Sequence, residues 1–298
     1  MNSCRDWDRD GVSQCAKMFA LVDTKDAVAV ETEVKAAFAA MFPAEDPDYV
    51  ARIFALATNA FAGNYADYQP IDAAYHDLEH TLQGTLCMAR MLRARHLAGT
   101  QPAFPVNLVK LGLLAILLHD TGYLKHRDDT EGTGAKYTAT HVTRSIEFAA
   151  VMMRENGFGE DDIRAVQNMI QCTGVDAVLS GIPFRNEEER LVGLMLGTAD
   201  LVGQMAAADY VDKLPVLYQE FAEAARHAND RANVFNLFTS AEDLQRKTPA
   251  FWEYTKLRLT RDFAGLYRFL NDPYPFGGNE YLAQIEANVA RVRRMNGG

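Results

Sequence analysis

The chain has 298 residues, 48% of them apolar, and a formal net charge of −10. Length and apolar content exclude a disordered chain and allow one large domain with a substantial core. The acidity, with a sequence pI near 5.2, argues against a broad nucleic-acid surface, which needs clustered Lys and Arg. It leaves room for an anionic substrate, because a bound metal supplies positive charge locally.

Residues 1–10 are polar and acidic, unlike a signal peptide, and the first twenty or so residues are expected to be loosely ordered. Helical patterning starts at 27–41, rich in Ala, Val, Glu and Lys. It continues at 47–62, where Val50, Ile53, Phe54, Leu56, Ala57 and Phe61 recur at helical spacing. After a polar break at Pro70, 75–97 reads as a strong helix carrying Leu78, Leu82, Leu86, Met88 and Leu92. A loop at 99–105 leads to 106–119, which is nearly all apolar and long enough for a buried helix rather than a strand. Its apolar run, 111–118, is far too short to cross a membrane.

The next stretch, 121–137, is rich in Gly, Asp and Thr. Loops of that length are often functional. It reads as a rim or lid, or as a solvated surface loop, with Lys125 and Arg127 candidates to contact a phosphate. Helical patterns follow at 138–156, 160–172, 187–207, 210–228, 241–270 and 279–294, and a Pro- and Gly-rich turn at 271–278 stops the penultimate one. Strand signals are almost absent. The fold expected is a single all-α domain over 1–298, a compact multi-helix bundle. Its core spans 71–205, with N-terminal helices 27–62 and C-terminal helices 208–296 packed around it.

Cys4, Cys15, Cys87 and Cys172 form no C-x-x-C pair, which argues against a zinc ribbon or a thioredoxin-like motif. Sparse, scattered cysteine suits a reducing compartment, so a soluble, cytoplasmic protein is expected, with no membrane contact and no nucleic-acid polymer as partner. A homodimer is left open.

Among the seven histidines, three stand in settings that need a partner. His119 and Asp120 end the most apolar helix, where ionisable groups are costly unless paired or metal-bound. Together they offer one neutral nitrogen and one anionic oxygen, a mixture suited to divalent ions. His76 and His80 are four apart and, on one helix, would share a face as two ligands or as a ligand and a proton donor. Asp200 lies in an apolar helix beside Gly197 and Ala199, small neighbours that allow close packing, and Gln204 stands one turn further along. Taken singly, each has a plain reading: a hydrogen-bonded core histidine, a solvated helix face, an internal cap. Taken together they point to a metal site.

These residues resemble the HD-domain superfamily of metal-dependent phosphohydrolases, whose H…HD…D pattern maps onto His80, then His119 with Asp120, then Asp200. The segment from Tyr75 to Thr81 is similar to the Tyr-His-Asn-x-x-His segment of cyclic-nucleotide phosphodiesterases, with Asp77 where they have Asn. The segments 141–145 and 168–173 resemble later histidine and Ile-x-x-Thr segments of the same superfamily. The resemblance covers roughly 71–204.

It implies an HD-type or phosphodiesterase-like bundle holding one or two divalent ions (Mn, Fe, Ni, Zn or Mg). The ligands would be His80, His119, Asp120 and Asp200, with Asp120 bridging to a second ion. His76 would be the general acid. His141 would contact phosphate or the second ion, and Gln204 would lie at the substrate. The substrate would be a small phosphodiester, cyclic-nucleotide-like. Three alternatives stay open: a nucleotide or other phosphomonoesterase, a non-catalytic metal-binding sensor, and a di-iron oxygenase.

Overall fold

Side-chain caps fix where several helices begin. Asp26 accepts from the Val28 and Ala29 N–H groups and starts α1 (Ala27–Met41). Asp77 accepts from His80 N and starts α3 (Leu78–Leu97). Asn186, Ser240 and Asn279 do the same for α7 (Glu187–Met205), α9 (Ala241–Arg261) and α10 (Glu280–Met295). The remaining helices are α2 (Tyr49–Phe61), α4 (Val106–Leu118), α5 (His141–Glu155), α6 (Glu160–Ile170) and α8 (Tyr210–His227). The computed structural model describes residues 22–174, 177–227 and 238–297. Among them the extended pairing consists of two short antiparallel pieces, Asn271–Asp272 and Gly278–Asn279, beside the turn before α10, and an isolated antiparallel bridge between Tyr68 and His126.

The all-α expectation holds. α4 is apolar on every side and buried along nearly its whole length. It sits against α3, α6 and α7, while α1 covers α3, and α8, α9 and α10 pack on one another beyond α7. No single helix among the described residues is long and apolar enough to cross a membrane. The loose order expected for the first twenty or so residues concerns positions outside the described residues, as do Cys4 and Cys15. Cys87 and Cys172 are buried free thiols.

Three helices differ from expectation, the one predicted over 138–156 in that it starts at His141. The predicted 75–97 helix begins only at Leu78, because Asp77 caps it from an extended backbone conformation, which leaves His76 outside. The predicted 241–270 helix stops at Arg261. Ala264 (φ 54°) and Gly265 (φ 68°) take left-handed conformations that end it, and a separate 3-10 turn, Leu266–Leu270, follows.

α3 and α7 approach one another closely. A Cβ placed on Gly203 would stand 2.8 Å from the Gln83 carbonyl oxygen and 3.0 Å from Gly84 N, and one on Gly84 would stand 3.8 Å from the Asp200 Cα. Glycine thus faces glycine where the helices cross, within a turn of both His80 and Asp200. The substitution Gly203→Val forces the helices apart. It should lower stability by about 1–3 kcal/mol, the usual range for overpacking. The check is a lower midpoint in chemical denaturation than that of the unsubstituted protein.

Candidate metal centre

Four side chains converge at this crossing. His80 comes from the first turn of α3, His119 is the C-cap of α4, Asp120 opens the 3-10 turn Thr121–Tyr123, and Asp200 projects from α7. His80 Nε2 lies 3.1 Å from Asp120 Oδ2 and 3.3 Å from Asp200 Oδ1. His119 Nε2 lies 3.3 Å and 3.6 Å from the same two oxygens. All four side chains are nearly shielded from solvent, Asp200 being the most open.

The contacts are close, yet His119 Nε2 and Asp120 Oδ2 are buried without any hydrogen-bond partner. Buried polar atoms are rarely left this way. Donor atoms bound at about 2.1 Å to one ion lie roughly 3.0–3.4 Å apart, a spacing these atoms come close to. His119 Nδ1 is 2.6 Å from the Ile116 carbonyl. That bond keeps the proton on Nδ1 and turns the Nε2 lone pair inward, the usual support for a metal-ligating imidazole.

Electrostatics favour a cation here. Burial works to raise the Asp120 and Asp200 carboxyls, but the neighbouring imidazoles outweigh it and hold both well below the ordinary range. Burial likewise opposes charge on His80, and the two carboxylates overcome it and lift the imidazole to about 9. His119 is raised for the same reason. Two anions and two basic nitrogens share one small buried volume, so protons occupy it when no metal ion does.

His76 reaches the centre from the bend that precedes α3, not from the helix face it was expected to share with His80. Its ring centroid is 5.3 Å from that of His80, and its Nδ1 is 2.5 Å from Glu220 Oε2 on α8. Glu220 Oε1 also accepts from Tyr75 N at 2.7 Å and from His76 N at 3.4 Å. Burial tends to raise this carboxyl, but His76 and the two backbone donors outweigh it and keep it low. Glu220 was missed in the sequence. The available signal was an acidic residue on the buried stripe that Leu214, Leu217 and Ala224 define along α8.

His141, at the start of α5, places Nε2 3.8 Å from Asp120 Oδ1, the carboxylate oxygen that faces away from the ring of four. Its Nδ1 is 2.7 Å from the Thr138 carbonyl, and burial holds its pKa down. Gly122 lets the chain turn tightly there, since a Cβ on it would strike the His141 carbonyl oxygen at 2.0 Å. Gln204 lies beside Asp200 rather than in open space. Its Nε2 is 3.3 Å from the Asp200 carbonyl and 3.4 Å from Oδ1, and its Oε1 accepts from the Tyr75 hydroxyl at 3.0 Å. That geometry makes it an orienting partner of Asp200.

The cations of the 121–137 loop do not reach into the centre. Lys125 donates to the Gly132 carbonyl at 2.6 Å and pairs with Asp72 at 2.9 Å. Arg127 donates to the Gly63 carbonyl at 3.0 Å. Lys136 pairs with Asp129, and Arg144 donates to the Gly122 and Leu124 carbonyls. Glu223 on α8 accepts from the Thr133 backbone N–H and hydroxyl. The loop is a braced wall, and its lysines and arginines are the braces. Sequence spacing could not reveal this, because nothing in it fixes where a long flexible side chain ends.

Fold and centre together define an all-helical protein with a buried two-histidine, two-carboxylate cluster, and within it and beside it His80, His119 and Asp200, and His76, His80 and Asp120, stand close enough that each set could hold a metal ion. The chain belongs to the Npun_R2479-like family, whose pattern matches residues 25–295. No curated protein and no solved structure matches it.

Two outcomes are expected in solution. Loading the protein with a divalent ion at neutral pH should release on the order of one to two protons per ion, because the raised imidazoles must lose theirs to ligate. Affinity should therefore fall as pH is lowered, which calorimetry in buffers of different ionisation enthalpy reads directly. Asp200→Ala should abolish stoichiometric binding, whereas Gln204→Ala should weaken it about 10- to 100-fold, as loss of an orienting partner does.

Proposed function

We propose that this protein is a metal-dependent phosphohydrolase of the HD type that cleaves a small phosphodiester, cyclic-nucleotide-like esters being the leading class. The observation that carries this reading is the convergence of His80, His119, Asp120 and Asp200 in one buried volume. Two of their donor atoms have no hydrogen-bond partner, and a histidine backed by a carboxylate stands beside them. The helical bundle and the chain order of these residues support the HD-type assignment.

A divalent ion in this cluster, Mn, Fe, Ni, Zn or Mg, supplies Lewis acidity toward a phosphoryl oxygen and lowers the pKa of a bound water. The chain supplies the rest. Asp120 turns Oδ2 to the four-residue ring and Oδ1 toward His141, so one carboxylate serves two positions. His141 spends Nδ1 on Thr138 and keeps Nε2 for a second ion or a phosphoryl oxygen. His76 spends Nδ1 on Glu220, so the proton it delivers to the leaving oxygen sits on Nε2. Glu220 stays ionised and fixes both the ring and the backbone that carries it.

The commitment of Lys125, Arg127, Lys136 and Arg144 to protein oxygens favours a diester over a phosphomonoester. A diester carries one negative charge. A monoester dianion or a polyphosphate carries more, and these side chains offer it no clamp.

The test pairs metal analysis with turnover of bis-p-nitrophenyl phosphate and p-nitrophenyl phosphate. Diester turnover by the metal-loaded protein is expected. Asp120→Ala should lose both metal and activity while keeping its helical circular dichroism. His76→Ala should keep the metal and lose about 100-fold or more in rate, most with poor leaving groups, and Glu220→Gln should lose less. Full diester activity in Asp120→Ala refutes the proposal. Turnover of the monoester alone points to a phosphatase, and silence toward both esters with iron bound points to the oxygenase or the sensor.

A further inference from the structure

Tyr123 is fully buried at the end of the 3-10 turn that follows Asp120. Its hydroxyl is near Thr138 but makes no well-formed hydrogen bond. Its ring is stacked with two imidazoles. His76 lies 4.5 Å away with planes inclined by 9°, and His141 lies 4.8 Å away with planes inclined by 23°. The two imidazole centroids are 6.2 Å apart, much closer than the sum of the two stacking distances. They therefore lie side by side over one face of the phenol, not on opposite faces of it.

The phenol is thus a common floor. His76 is otherwise held by Glu220 at Nδ1, and His141 by the Thr138 carbonyl at Nδ1. Each of those bonds fixes one atom of a ring and leaves it free to rock about that atom. A flat surface under both rings removes that freedom, because offset stacking favours a narrow range of height and tilt. The backbone makes the floor rigid: Gly122 N donates to Ser145 Oγ at 2.8 Å, and Arg144 holds the carbonyls of Gly122 and Leu124, on either side of Tyr123.

We propose that Tyr123 is a positioning residue, a shared aromatic floor that sets the imidazoles of His76 and His141 in one orientation toward the same side of Asp120. The inference rests on the phosphohydrolase reading for its catalytic consequence, and on geometry alone for the floor itself. Displacing a proton donor by a fraction of its reach removes part of the 100- to 10,000-fold that such a group contributes, about tenfold or more.

The experiment has two independent arms. In the first, two-dimensional NMR of the intact protein follows the imidazole ring protons. Nuclear Overhauser contacts from the Tyr123 ring to both His76 and His141 are expected. Both sets of imidazole shifts should move in Tyr123→Leu, as the ring current is lost, and stay in place in Tyr123→Phe. Contacts to one imidazole only, or to neither, overturn the proposal whatever the enzyme activity is, and the wild-type measurement stands even if Tyr123→Leu does not fold.

The second arm measures diester turnover across a series of leaving groups. Tyr123→Phe should stay within about twofold of wild type. Tyr123→Leu, with unchanged metal content and KM, should lose about tenfold or more in kcat with alkyl leaving groups and much less with p-nitrophenolate. Equal loss for all leaving groups, loss of metal, or failure of Phe to rescue assigns Tyr123 a merely structural part. A wild-type protein without diester turnover removes the phosphohydrolase reading and leaves the first arm to decide the floor.

Discussion

The centre depends on how closely α3 and α7 approach one another. Gly84 and Gly203 let the two backbones touch, and only at that separation do His80 and Asp200 come within 3.3 Å. α4 then lies against both helices and delivers His119 and Asp120 from its end. Gly112 on α4 allows this too, since a Cβ there would stand 2.6 Å from Val192 Cγ1 on α7 and 2.9 Å from Met88 Cε on α3. Three helices packed through small residues hold four polar side chains in an apolar interior, at a desolvation cost that a cation would offset.

Much of this was legible in the sequence. Apolar periodicity located the helices, and the unbroken apolar run of α4 marked it as buried, because a helix surrounded by others needs no polar face. The His-Asp pair at its end stood out for the same reason. Asp200 was visible as a carboxylate in an apolar stretch flanked by glycine and alanine, where close packing leaves no water to solvate it. The resemblance to the HD superfamily rests on the order of these residues along the chain.

What was not legible depended on local capping and on long-range packing. An aspartate at position 77 reads equally as a helical residue or as a cap, and its hydrogen bond to His80 N decides for the cap. His76 therefore approaches from the bend before the helix, and Glu220, 144 positions further on, holds it there. Tyr123 gave no signal at all, since one aromatic residue after a His-Asp pair is ordinary core until the rings above it are seen. The early end of α9 came from Ala264, a residue with no sequence preference for a left-handed conformation.

The reach of Glu220 has a consequence for what counts as the minimal unit of this protein. Every residue of the four-membered ring lies between positions 80 and 200, but the partner of His76 arrives on a helix that follows them all. A fragment ending after α7 would keep all four residues of the ring and lose the anchor of His76. The ring of four and the anchor of His76 are thus separable along the chain, and α8, which follows the ring in sequence, is part of what surrounds it in space.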